Sequence, residues 1–123
     1  MKKIKKFTSP LRSNASTWEC EGLEIRKSYA NPIRSAVPLQ DGSGAVIVEP
    51  FQEAGLNNAI IFNADGSERF RLSFPEPASR GYGYDQAYHI NEALNVFANI
   101  GGTDFRYVID ESEGSVLARY EAR

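Results

Sequence analysis

Arg69-Phe70-Arg71-Leu72-Ser73-Phe74 alternates polar and apolar side chains without a break. A strand here sends Phe70, Leu72 and Phe74 to one face and Arg69, Arg71 and Ser73 to the other. Pro75 then ends the strand, because it has no N–H to give to a ladder. Asp104-Phe105-Arg106-Tyr107-Val108-Ile109 repeats the device with Phe105, Tyr107 and Ile109 inward, and Val116, Ala118 and Tyr120 follow the same period. Two other runs, Ala45 to Val48 and Ala59 to Phe62, are apolar throughout and read as central strands covered on both faces. The expected core is Val46, Ile47, Ile61, Phe70, Leu72, Phe74, Phe105, Tyr107 and Ile109.

The connections agree with sequential antiparallel pairing, since Gly with Asp or Asn supplies the positive φ values of hairpin turns. Asp41-Gly42-Ser43-Gly44, Asn63-Ala64-Asp65-Gly66-Ser67, Gly101-Gly102 and Asp110-Glu111-Ser112-Glu113-Gly114 each separate two strand-like runs. From Gln86 to Ile100 two readings compete. Asn91 to Ala98 could form a short helix capped by Asn91. The even positions Tyr88, Ile90, Leu94, Val96, Ala98 and Ile100 favour a strand that leads into the Gly101-Gly102 turn. The fold expected is therefore all-β with room for one short helix, an antiparallel meander making a curved sheet or a small barrel. Residues 1–17 show no periodicity and read as a loose N-terminal arm or an edge strand, leaving 18–123 as a single β domain.

At 123 residues, 41% hydrophobic and 24% charged, the chain can bury one core without disulfides or a structural metal. Its single cysteine and single histidine exclude a disulfide framework and a Cys-rich zinc site. No apolar run approaches the roughly 20 residues a membrane helix needs. The basic opening is followed by Phe7-Thr8-Ser9-Pro10 rather than an apolar stretch, so export by a signal peptide is not expected, and the single thiol suits a cytoplasmic protein. Residues 1–50 carry 8 basic and 5 acidic side chains, whereas residues 51–123 carry 6 and 11. The acidic part disfavours nucleic acid and favours a basic partner. The lysines at 2, 3, 5 and 6 are too few to reverse that reading.

No catalytic, metal-binding or cofactor-binding signature stands out. A Gly-x-Ser-x-Gly elbow, a phosphate loop with its lysine and a His-Glu-x-x-His pair are all missing from the sequence. Asp85, four positions before His89, is the candidate orienting carboxylate, but four strand residues span about 13 Å, so His89 reads as structural rather than catalytic. Cys20 alternates with Glu19 and Glu21, which turns it toward the core beside Trp18. The segment from Ser79 to Tyr88 has another composition: Arg80, Tyr82, Tyr84, Asp85 and Tyr88 are interleaved with Gly81 and Gly83. Tyr and Arg offer large, amphipathic contact areas, and glycine lets a loop follow its partner. Asp110, Glu111 and Glu113 place three carboxylates in one turn, able to steer a basic partner. These eight residues are the expected partner-binding set.

A compact acidic β-meander with short Asp-Gly and Gly-Gly hairpins, no catalytic set and an aromatic loop resembles the small immunity proteins of bacterial polymorphic or contact-dependent toxin systems. The resemblance covers roughly Trp18 to Arg123. It implies a cytoplasmic, non-enzymatic protein that binds one cognate toxin domain, nuclease-like and basic, and covers its active surface. The alternative is a small-molecule or lipid-binding β-barrel with Phe62, Phe70, Phe74, Phe97 and Phe105 lining its cavity.

Overall fold

A computed structural model describes residues 2–75 and 82–122. Among these residues the fold is all-β: three antiparallel sheets, formed one after another along the chain, with a single turn of helix. Sheet A takes β1 (Lys5–Thr8), β2 (Ala15–Cys20) and β3 (Leu23–Ser28) in sequence order. Sheet B takes β4 (Ser35–Pro38), β5 (Gly44–Val48), β6 (Ala59–Asn63) and β7 (Glu68–Leu72), with α1 (Phe51–Ala54) between β5 and β6. Sheet C takes β8 (Gln86–Ile90), β9 (Ala93–Ile100), β10 (Thr103–Ile109) and β11 (Val116–Glu121).

Sheet B is the middle layer, and the alternation of its two central strands makes it so. Val46 pairs with Ile61 and Val48 with Ala59, and these side chains pack on Leu94, Val96, Tyr107 and Ile109 of sheet C. Their neighbours Ala45, Ile47, Ile60 and Phe62 point the other way, onto Trp18 of sheet A. Both central strands are therefore apolar throughout because both their faces are covered. Trp18 closes the second core, with its indole N–H donating to the Ala64 carbonyl at 2.7 Å and its ring between Phe7 and Phe62. Cys20 is buried on the same strand.

Several expectations are corrected. The layers do not close into a small barrel, and the phenylalanines proposed to line one are divided. Phe62 belongs to the A/B core, Phe74 and Phe105 pack on the B/C core, and Phe97 stacks with Tyr88. Phe70 is only half-buried, resting near Gly114. The N-terminal segment is no loose arm, since Lys5 pairs with Glu19 and Thr8 with Thr17, making β1 an edge strand. Between 86 and 100 the strand reading holds but is interrupted, because Asn91 and Glu92 take φ of 50° and 66° and turn β8 back onto β9. Glu21 and Gly22 do the same between β2 and β3, at 52° and 78°.

Candidate functional site

Sheets B and C meet along β4 and β8, where the Ser35 hydroxyl bonds both the carbonyl and the N–H of Ala87. The segment entering β8 is held by a buried amide. Asn58 Oδ1 accepts from Tyr84 N at 2.7 Å, while Asn58 Nδ2 donates to Tyr84 O and to Glu49 O. Gly83 lies between, at φ 74°, where a Cβ would come within 2.5 Å of Asn58 Oδ1. Only glycine combines that backbone conformation with so close an approach. The clamp divides the expected binding tyrosines. Tyr84 is fully buried, its ring edge-on to Phe74 and Tyr107 and its hydroxyl donating to Ser73 O at 2.8 Å. Burial pushes its phenol well above the ordinary range. It is a core residue with no exposed surface in this fold, where the sequence reading had placed it on a binding surface. Tyr82, two residues earlier, is 71% exposed.

Around Tyr82 the structure assembles a patch from distant parts of the chain. Arg34 Nη1 donates to the Tyr82 carbonyl at 2.7 Å, and the Tyr82 ring meets Phe51 edge-on at 5.4 Å. Tyr82, Arg34, Phe51 and Pro32 line one open hollow, and Arg34 also borders a second groove with Arg12, Leu11 and Tyr88. Leu11 is 90% exposed and Tyr88 42%, the latter stacked on Phe97 at 4.6 Å. Asp85 is half-buried beside this surface; burial pushes its carboxyl upward and the charge of Arg34 opposes that. Arg80 lies outside the described residues.

The carboxylate turn is elsewhere. Asp85 N bonds Phe97 O at one end of sheet C, whereas Ile90 pairs with Ala93 and Leu94 with Ile109 at the other, next to the turn at Asp110. Five strand residues, about 16 Å, separate the two groups. Asp110 is used within its own turn, accepting from Ser112 N, Ser112 Oγ and Glu113 N, which lowers its pKa. Glu111 is half-buried, and burial raises its pKa; its Oε1 is 3.8 Å from His89 Nδ1, and its carbonyl accepts from Arg69. Glu113 is the exposed carboxylate of the three. His89 Nε2 bonds Pro38 O at 3.0 Å, tying β8 to β4.

Of the residues expected from sequence, the structure brings Tyr82, Asp85 and Tyr88 to this surface, together with Leu11, Arg12, Arg34, Phe51 and the positioning residue Asn58, which sequence reasoning did not single out. Nothing local distinguishes these, although an exposed-looking Leu beside Arg and Pro in an otherwise polar stretch was a signal. No family model matches the chain, and no curated protein or solved structure matches it either.

Proposed function

We propose that this protein is a non-enzymatic binding module that covers a partner domain with the surface around Tyr82, Arg34, Tyr88 and Leu11. One observation carries the reading: three large apolar side chains, Tyr82, Leu11 and Tyr88, stay exposed around two arginines at a single junction. Tyr and Arg dominate the energetics of protein interfaces, and a loop clamped by Asn58 loses little freedom on binding. The biological form we propose is the one the resemblance implies, neutralisation of one cognate toxin domain. The excess of acid over base in residues 51–123 would attract a basic domain at long range, while Arg12 and Arg34 call for carboxylates where the surfaces meet.

The test is the binding kinetics against the C-terminal domain of the protein encoded by the adjacent gene. Tyr82→Ala and Arg34→Ala are each expected to cost about 2 kcal/mol, a roughly 30-fold weaker complex, chiefly through faster dissociation. Glu113→Gln should alter mainly the association rate and its salt dependence. If both anchor variants bind like the parent, the surface is wrong.

A further inference from the structure

Three hollows share walls along the junction of sheets A, B and C. Pro32, Phe51 and Tyr82 line the first, which ends at Arg34. Arg34 is also a wall of the second, with Arg12, Gln86 and Tyr88. Gln86 and Tyr88 then divide the second from the third, which Asp85, Phe97 and Asp104 complete. The first and third have no described residue in common, so the three make one groove with the second in the middle.

The chemistry of this groove changes along its length. Its first part is apolar and aromatic, its middle carries the exposed guanidiniums of Arg12 and Arg34, and its last part carries two carboxylates. Burial raises the Asp85 carboxyl, Arg34 opposes this and Asp104 adds to it, so the acidic pair stand together just beyond the arginine. The walls are held before any partner arrives. Glu53 of α1 accepts from Ala30 N at 2.8 Å and from Asn31 N at 2.9 Å, which fixes the loop of Pro32 against the turn of helix that carries Phe51. Tyr88 is stacked on Phe97, and the Ser35 hydroxyl ties β4 to β8 at Ala87, between Gln86 and Tyr88. A groove fixed in this way loses little freedom on binding.

We propose that the groove seats one extended segment of the partner protein, whose inward side chains are apolar, acidic and basic in that order. The proposal rests on reading the chain as a protein-binding module and adds what that partner must present. An extended backbone sends alternate side chains to one side about 7 Å apart, so three of them reach three abutting hollows while those between face away. The apolar one enters beside Phe51 and Tyr82. The carboxylate meets Arg12 and Arg34, whose planar forks suit it, and the cation meets Asp85 and Asp104. A segment with the two charges exchanged would set like charges together at both places, and a segment of one sign would suit one hollow and clash in the next.

Titration of the full chain, followed by NMR, with two acetylated and amidated peptides of one composition tests this. The first reads Gly-Leu-Ser-Glu-Ser-Lys-Gly and the second Gly-Leu-Ser-Lys-Ser-Glu-Gly, so they differ only in charge order. The first should shift the signals of Tyr82, Gln86 and Tyr88 and bind about ten-fold more tightly than the second, since two matched pairs replace two repulsions. Arg12→Glu, at an exposed site, should remove most of that preference, and Arg12→Lys should keep most of it. Equal binding of the two peptides, no binding of either up to about 10 mM, or an Arg12→Glu chain that discriminates like the parent would each overturn the proposal. A domain from the adjacent gene that fails to bind, beside a preferred first peptide, would overturn the toxin reading and uphold the groove. A domain that binds through Tyr82 and Arg34, beside peptides that are not told apart, would do the reverse.

Discussion

Tyr82 and Tyr84 stand two residues apart in one glycine-containing segment and do opposite things. The difference lies in Asn58, which holds the backbone of Tyr84 on both sides and so sets which ring turns inward. Tyr82→Ala should leave unfolding free energy within about 0.5 kcal/mol of the parent, as expected for an exposed side chain. Tyr84→Ala should cost about 3–5 kcal/mol, the range for large buried aromatics, and Tyr84→Phe about 1 kcal/mol for the hydrogen bond to Ser73. Urea titration separates the three, and a Tyr82→Ala chain as unstable as Tyr84→Ala would refute the division. Asn58→Ala strands several buried backbone groups at about 1–3 kcal/mol each, and it should also loosen Tyr82 enough to impair binding. Phe70→Ala should cost less than the range for a buried phenylalanine, because the ring is only half-buried.

At the scale of elements, three turns share one device. Asp41 accepts from Ser43 N, Asp65 from Ser67 N and Oγ, and Asp110 from Ser112 N and Oγ. All three carboxyls titrate below their ordinary range, held down chiefly by hydrogen bonding from the serine two residues on. A depressed folded-state pKa contributes stability that is complete above the unfolded value, about 3.9, and is lost as pH falls through the folded one. Asp85 and Glu111 have raised values, so their effect runs the other way, and stability rises as pH falls through their range. Unfolding free energy should therefore increase slightly below neutrality and then drop below about pH 4. Replacing Asp41, Asp65 and Asp110 together by Asn should flatten that final drop in a pH series of denaturant melts. An unchanged acid limb would show that these turns do not govern it. Gly66 tests the same element scale by geometry: at φ 88°, with Ile25 Cγ2 2.8 Å from the position of a Cβ, Gly66→Ala should destabilise by more than about 1 kcal/mol and disturb the contact between sheets A and B.

Across the whole molecule, Trp18 is the largest fully buried side chain that sheet A contributes to its core with sheet B. Trp18→Ala should cost about 3–5 kcal/mol and leave a chain that unfolds in a single transition at lower urea, since the A/B core shares β5 and β6 with the B/C core. A separate early transition for sheet A would show the layers to be independent. The strands themselves were legible because a two-residue period and an unbroken apolar run state directly how many faces of a strand are covered. Arg69 to Phe74 and Ala45 to Val48 are the two cases. The glycine turns were legible for a similarly local reason, the need for positive φ. The turns at Glu21-Gly22 and Asn91-Glu92 were obscured because three of those four residues are not glycine, and their backbone is imposed by the strands they join. The division into three layers was not legible: hydrogen bonding breaks between β3 and β4 and between β7 and β8, and although Pro75 follows β7, nothing local shows that the next strand begins a new sheet. The candidate surface shares that origin. Leu11, Arg34, Phe51 and Tyr82 lie far apart along the chain and meet only where sheets A, B and C adjoin, so their proximity is a product of packing. What the sequence alone determined is the local part, strand by strand and turn by turn, because side-chain period and backbone φ act over a few residues. Layering, burial of Tyr84 against exposure of Tyr82, and the grouping of the patch were decided by tertiary structure, because each depends on which faces find cover.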